Sequence, residues 1–491
     1  MVPAFDPLSR VLGGLAAMLG TFAAVVYWRA GLSLSHYDAK AHLVVARRIF
    51  DSLTPSWEQI GAVWLPLPHL LNALPVQIDF MYRTGASAIA ISIASYALTV
   101  ACLAGIVRTV SGSRTGAILA ALLFAVNPNV LYLQSTPMTE PLLFALASLM
   151  VLLLTEWAMS DVVQVRRAAC WVVVAACLTR YEAWPIAGAA IVLAGWVKWR
   201  RGGVFTAVLH ESSKLALYAI GTAVFFMGLT FATMGQWFVI GGFYVPDPKL
   251  QGQPMAVYEA IRQGLGDLAG PRFVQFAILS FGITLAASLF RRRWSGLILP
   301  LALMAAAALP FYAFVSGHPF RIRYEVPLIL AGAAAIGSAV SLLHFVAPLV
   351  AIPLLALVMV QAPSFDADLA PMVVEAQLDR ANSAGRRTVT ACLEASYDRT
   401  TIMASMGSLA HYMQELSHAG FQLSDFLHEG SGPIWAHALH RDPSLFVGWI
   451  LIEEKAEGGD MLFQKTKEWP EFATRFERVC EGGNVALYRR R

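Results

Sequence analysis

The strongest constraint on this chain is a succession of apolar stretches, each close to the roughly 20 residues that a helix needs to cross a bilayer. They fall near 11–30, 86–107, 115–133, 141–158, 168–183, 184–199, 215–234, 272–290, 296–315, 324–341 and 344–362. Hydrocarbon offers no hydrogen bonds, so segments of this kind must satisfy their own backbone groups as helices. The reading is an α-helical polytopic membrane protein with about eleven transmembrane helices, give or take one or two because some runs are short. Composition agrees: of 491 residues 57% are hydrophobic and 14% charged, and the mean hydropathy of +0.58 lies outside the range of soluble globular proteins. The first stretch is too long for the apolar core of a signal peptide. The following "YWRAGLSLSHYD" has no small-residue cleavage site, so the stretch reads as an uncleaved span.

The basic residues set an orientation. Arg10, Arg108, Arg114, Arg166, Arg167, Lys198, Arg200, Arg201, Lys214 and Arg291 to Arg293 flank the spans on one side. By the positive-inside rule that side is cytoplasmic, which puts the N-terminus there and implies a plasma (inner) membrane protein. The opposite side receives residues 31–85, 134–140, the turn "TRYEAWP" at 179–185, 235–271, "SGHPFRIRYE" at 316–325, and everything after 362. The net charge of +4 is small and scattered in these clusters, so no nucleic-acid partner is read from it.

Two domains are expected. Residues 1–362 form the transmembrane domain, whose first outer loop, 31–85, contains interface helices. After Asp38 the apolar Leu43, Ala46, Ile49, Phe50 and Leu53 recur at helical spacing, while Lys40, Arg47, Arg48 and Asp51 take the other side, the pattern of a helix lying on a membrane surface. Residues 363–491 alternate short apolar runs such as "VGWILIEE" with helix-like segments such as "SMGSLAHYMQEL", which reads as a small α/β domain on the outer side. Five cysteines show no zinc-ligand spacing. Cys392 and Cys480 fit either a disulfide in an oxidising compartment or two buried thiols.

The outer side also carries polar residues that orientation does not require. Asp38 opens the first loop helix, where it suits a cap or a catalytic acid, and His42 lies one turn on, on the same face. Glu140 closes "NPNVLYLQSTPMTEP", where Thr and Glu also read as a helix start. Arg180 and Glu182 stand in "TRYEAWP", as a structural ion pair or as site residues. Arg321 and Arg323 alternate with apolar residues before Tyr324, and the planar fork of arginine suits a phosphate, or else snorkels to lipid headgroups.

An acid at the start of outer-side helices, a second outer loop ending in "TE", a "TRYE" turn and an R-x-R-Y-x-x-P approach to a late span together resemble polytopic GT-C class glycosyltransferases. The resemblance is to the bacterial aminoarabinose transferase-like and protein O-mannosyltransferase-like members, and it covers residues 1 to about 362 in architecture. It implies a fold of GT-C type and the transfer of a sugar from a polyprenyl-phosphate-linked donor to a protein, lipid or glycan acceptor on the outer face, usually with inversion. Asp38 is then the catalytic base. Arg321 and Arg323 hold the carrier phosphate, and Glu140, Arg180, Glu182, Tyr324 and His42 line the substrate cavity. "YDAKAH" lacks a second acid two residues after Asp38, so no divalent metal or other cofactor is expected. The competing reading is a transporter or flippase of a lipid-linked or anionic solute, which requires ionisable groups at mid-span depth; here they gather at the membrane surface instead.

Overall fold

A computed structural model describes residues 5–61, 63–235, 237, 245–366, 369–455 and 460–491. Part of the fourth outer loop therefore lies outside the described residues. The chain divides into two compact units: Met1–Ala30, Ile89–Gly228 and Asp247–Val374 make the first, and Gly31–Ala88, Leu229–Pro246 and Glu375–Arg491 the second.

The first unit is helical. Among the described residues, eight helices are long and apolar enough to cross a membrane: Pro7–Arg29, Ala86–Ser111, Glu140–Met159, Phe205–Thr233, Pro271–Phe290, Arg292–Val315, Ile322–Ser341 and His344–Gln361. The three remaining expected spans hold shorter or more polar helices. Arg114–Ala125 breaks at Asn127, whose side chain caps the next helix, Pro128–Leu133, by accepting from the N–H groups of Asn129 and Val130. Arg167–Cys177 and Ala183–Arg200 flank the "TRYE" turn. The helix Val326–Ser341 is buried along its whole length. It packs against Arg114–Ala125 through Gly337 and Gly116, where any Cβ would strike the partner backbone; small residues permit this close approach between apolar helices.

The second unit is an α/β structure. Strands β1 (Ile402–Ala404), β2 (Phe426–Leu427), β3 (Trp449–Glu453), β4 (Phe476–Gly482) and β5 (Val485–Arg490) form one sheet in the order β2-β1-β3-β5-β4. β1 runs parallel to β2 and β3, and β5 is antiparallel to β3 and β4. Successive residues of β3 enter opposite cores, Trp449 and Leu451 on one face and Ile450 and Ile452 on the other, so the strand is apolar throughout because both sheet faces are covered. A disulfide joins Cys392, on the helix Arg380–Ser396, to Cys480 on β4, with their Cα atoms 6.7 Å apart.

The first outer loop belongs to this second unit. Its helix Tyr37–Arg47 places Ala41, Leu43, Val44 and Ala46 in the same core as Trp449 and Leu451. Every residue from Asp38 to Arg47 is buried, so this is not a membrane-surface helix with one polar face. Its charges are compensated from inside the unit. Lys40 Nζ lies 2.5 Å from Glu415 Oε1. Arg47 contacts Asp51 at 2.8 Å and Asp79 at 2.8 Å, and its guanidinium covers the Tyr82 ring.

Candidate functional site

Asp38 stands in the first turn of Tyr37–Arg47, but it is not the cap. His36 has extended backbone angles, and its Nδ1 accepts the Asp38 N–H at 3.1 Å. The Asp38 side chain is 7% exposed, and residues on both sides of it are anchored to the C-terminal part of the unit. His36 Nε2 lies 3.5 Å from Glu375 Oε1, and the Tyr37 ring meets His411 edge-on. Lys40, two residues on, joins a buried ion network. Glu415 takes Lys40 with one oxygen, accepts from Ser383 Oγ at 2.9 Å, and accepts from Arg386 Nε and Nη2 at 2.9 and 2.8 Å. The same guanidinium donates to both oxygens of Asp379 at 3.0 and 2.6 Å. Burial alone would raise the Glu415 carboxyl, but the Arg386 hydrogen bonds and the Lys40 charge outweigh it and hold it at about 2. Lys40, expected on the polar side of a membrane-surface helix, is thus held inside the unit instead.

His42 sits in a chain whose proton order can be deduced. His69 is buried, and that burial pushes its pKa down to about 3, so the ring is neutral at pH 7. Its Nδ1 is 3.1 Å from the Leu65 carbonyl, which can only accept, so Nδ1 carries the hydrogen. The bare His69 Nε2 then accepts from His42 Nδ1–H across 3.1 Å. The His42 ring packs against Trp64 at 4.1 Å.

In the first unit the structure brings Glu140, Arg180 and Glu182 into one contact. Arg180 Nη1 lies 3.1 Å from Glu140 Oε1, and Nη2 lies 2.7 Å from Glu182 Oε1. Glu140 is 1% exposed and Glu182 4%. Thr139 was expected to cap the helix Glu140–Met159; its side chain makes no cap and instead accepts from Arg180 Nη1 at 2.9 Å. Burial works against the Arg180 charge, but Glu140 and Glu182 more than reverse this and hold its pKa above the ordinary value, while the Arg323 charge acts in opposition. Arg323 therefore lies within electrostatic reach of the trio.

The two arginines of "RIRY" are not equivalent. Arg323 is buried and its guanidinium covers the Tyr324 ring at 5.3 Å, whereas Arg321 is half-buried. Tyr324 continues into an aromatic group with His318 and Phe314. Sequence reasoning passed over Glu325, Asp379, Arg386 and Glu415. Glu415 carried a usable signal, an acid next to Leu416 in the helix-like segment "SMGSLAHYMQEL".

Helices of membrane-spanning length and apolarity, together with a small α/β unit, define a polytopic membrane protein of ArnT-like fold. In particular, the chain is similar to ArnT from Cupriavidus metallidurans in its apo crystal structure. The match has a TM-score of 0.60 at 12% identity and covers 96% of this chain and 97% of that one. Two crystal structures of the Archaeoglobus fulgidus oligosaccharyltransferase also match at 12% identity. One, in complex with Zn and sulfate, has a TM-score of 0.47 and coverage of 90% of this chain and 67% of that one. The other, tethered through a disulfide to an acceptor peptide containing the NVT sequon, has a TM-score of 0.49 and coverage of 94% and 72%. No family model matches the chain, and no curated protein matches it. At such identity the likeness concerns the fold.

Proposed function

We propose that this protein is a membrane glycosyltransferase that moves a sugar from a polyprenyl-phosphate-linked donor to an acceptor at the outer face of the inner membrane. The observation that carries the reading is the likeness to ArnT along nearly the full length of both chains, the small α/β unit included. The acceptor's hydroxyl or amine attacks the sugar C1 from the side opposite the phosphate, which inverts that centre. Asp38 takes the acceptor's proton as the C1–O bond breaks, and the bond's electron pair leaves with the polyprenyl phosphate. Arg321 and Arg323 stabilise the charge that grows on the departing phosphate. Glu140 and Glu182 fix the Arg180 guanidinium, and Tyr324 and His42 complete the substrate contacts. The chemistry assigned to these side chains calls for no metal.

The arginine distribution supports a cytoplasmic N-terminus and a periplasmic α/β unit. The Cys392–Cys480 disulfide agrees with that oxidising side. The test is transfer by purified protein supplied with a polyprenyl-phosphate sugar. Asp38→Asn is expected to abolish transfer while leaving the melting temperature intact, and full activity in that variant removes Asp38 from the mechanism.

A further inference from the structure

Glu325 lies two residues beyond Arg323, in the approach to the wholly buried helix Val326–Ser341. Its side chain is 0% exposed. Neither carboxyl oxygen has a hydrogen-bond partner or an ion pair among the described residues. It occupies the cap position of the helix, yet its side chain makes no cap bond. Glu140 is equally buried, but it is held by Arg180 at 3.1 Å. Above Glu325 lies the helix Pro254–Ala269, which approaches at Gly264: a Cβ there would stand 3.4 Å from Glu325 Cγ and 2.7 Å from Phe320 Cζ. A carboxyl in this setting gives the fold nothing that leucine would not give better, because enclosed polar groups are tolerated when something completes their hydrogen bonds.

We infer that Glu325 is the sugar-recognising group of the donor site, forming hydrogen bonds with the hydroxyls of the transferred sugar once the Pro254–Ala269 helix moves aside. The inference rests on the reading of the protein as a lipid-phosphate sugar transferase. The chemistry selects the ligand. A phosphate is attracted by Arg321 and Arg323, whereas sugar hydroxyls can exchange hydrogen bonds with a carboxyl group without bringing a charge into its enclosed site. One short segment thus presents cations for a phosphate and, next to them, an acceptor for a polyol.

The test uses the full chain in lipid nanodiscs, with two probes, polyprenyl phosphate and polyprenyl-phosphate hexose. Wild type is expected to prefer the hexose-bearing lipid by at least about tenfold in Kd. Glu325→Leu should lose that preference while binding the bare lipid as wild type does, and its melting temperature should equal or exceed that of wild type. Glu325→Gln, which keeps one acceptor oxygen, should fall between the two. Retention of the full preference in either variant overturns the assignment. So does a lower melting temperature for Glu325→Leu, which would mark the carboxyl as structural. A wild type that binds neither lipid brings down the transferase reading itself, and this inference with it. A wild type that binds both lipids equally refutes the inference alone.

Discussion

Replacing Glu415 with Gln tests whether the helix bearing Asp38 is held in place by buried charge. The carboxylate takes Lys40 at 2.5 Å, Ser383 at 2.9 Å, and Arg386 through two bonds of 2.9 and 2.8 Å. Glutamine keeps the shape but leaves Lys40 and Arg386 with Asp379 as the one remaining acid of the network. The Glu415 pKa falls from 4.5 to about 2 in the folded chain. At about 1.36 kcal/mol for each unit, the charge contributes about 3 kcal/mol at pH 7. For a unit of this size that corresponds to a fall in Tm of about 6 to 12 °C. The sign follows from the direction of the shift: the contribution is complete above pH 4.5, declines as pH falls, and is gone below about 2. The Tm gap between wild type and Glu415→Gln should therefore close over that interval. The double variant Lys40→Met, Glu415→Gln removes one charge of each sign and leaves Arg386 balanced by Asp379, so it should recover at least about 1 kcal/mol relative to Glu415→Gln. The measurement is thermal unfolding of the purified chain by intrinsic fluorescence. Additive effects of the two substitutions, or a gap that does not change with pH, would refute the argument.

Arg180→Met strands Glu140 and Glu182 as buried carboxylates. It is expected to cost about 3 to 5 kcal/mol, and adding Glu140→Gln and Glu182→Gln should restore most of this in the same melting assay. The Cys392–Cys480 disulfide closes a loop spanning 88 positions, so Cys392→Ser with Cys480→Ser is expected to lose about 4 kcal/mol; alkylation followed by intact mass measurement checks the pairing in the native chain. His69→Phe removes the acceptor of His42 Nδ1 and should raise KM for the sugar donor with kcat little changed; an unchanged KM detaches His42 from the substrate contacts. Dialysis against EDTA should leave transfer intact, and loss of activity reversed by a divalent cation would introduce a metal that the proposed mechanism omits.

The spans were legible because the length and apolarity of a membrane helix are local properties. Where the chain departs from them, the cause is also local: the expected span at 115–133 is cut where Asn127 and Pro128 restart the helix. The helix Tyr37–Arg47 was misplaced for the opposite reason. Its lysine and arginine look like a solvated face, and the partner that buries Lys40 lies 375 positions away in Glu415. No pattern within the segment announces such a pairing. The trio of Glu140, Arg180 and Glu182 stood between these cases. The short outer turns exposed each member, but only the three-dimensional arrangement shows that one guanidinium serves both acids.

The two buried charge clusters obey one rule. In the second unit, Lys40 and Arg386 are matched by Glu415 and Asp379, so that group is neutral within its own unit. In the first, Glu140 and Glu182 exceed Arg180 by one charge, and Arg323, which acts electrostatically on Arg180, supplies the missing cation. Neutral sums of this kind let each cluster bury its ions without leaving one uncompensated. Arg323 spends part of its charge on that balance, and the more exposed Arg321 offers more surface to an incoming phosphate. Arg321→Gln should therefore weaken binding of bare polyprenyl phosphate with little change in Tm, whereas Arg323→Gln should lower both. Equal loss of stability in the two variants would show that the arginines share one structural task, and the division of labour along this segment would fail.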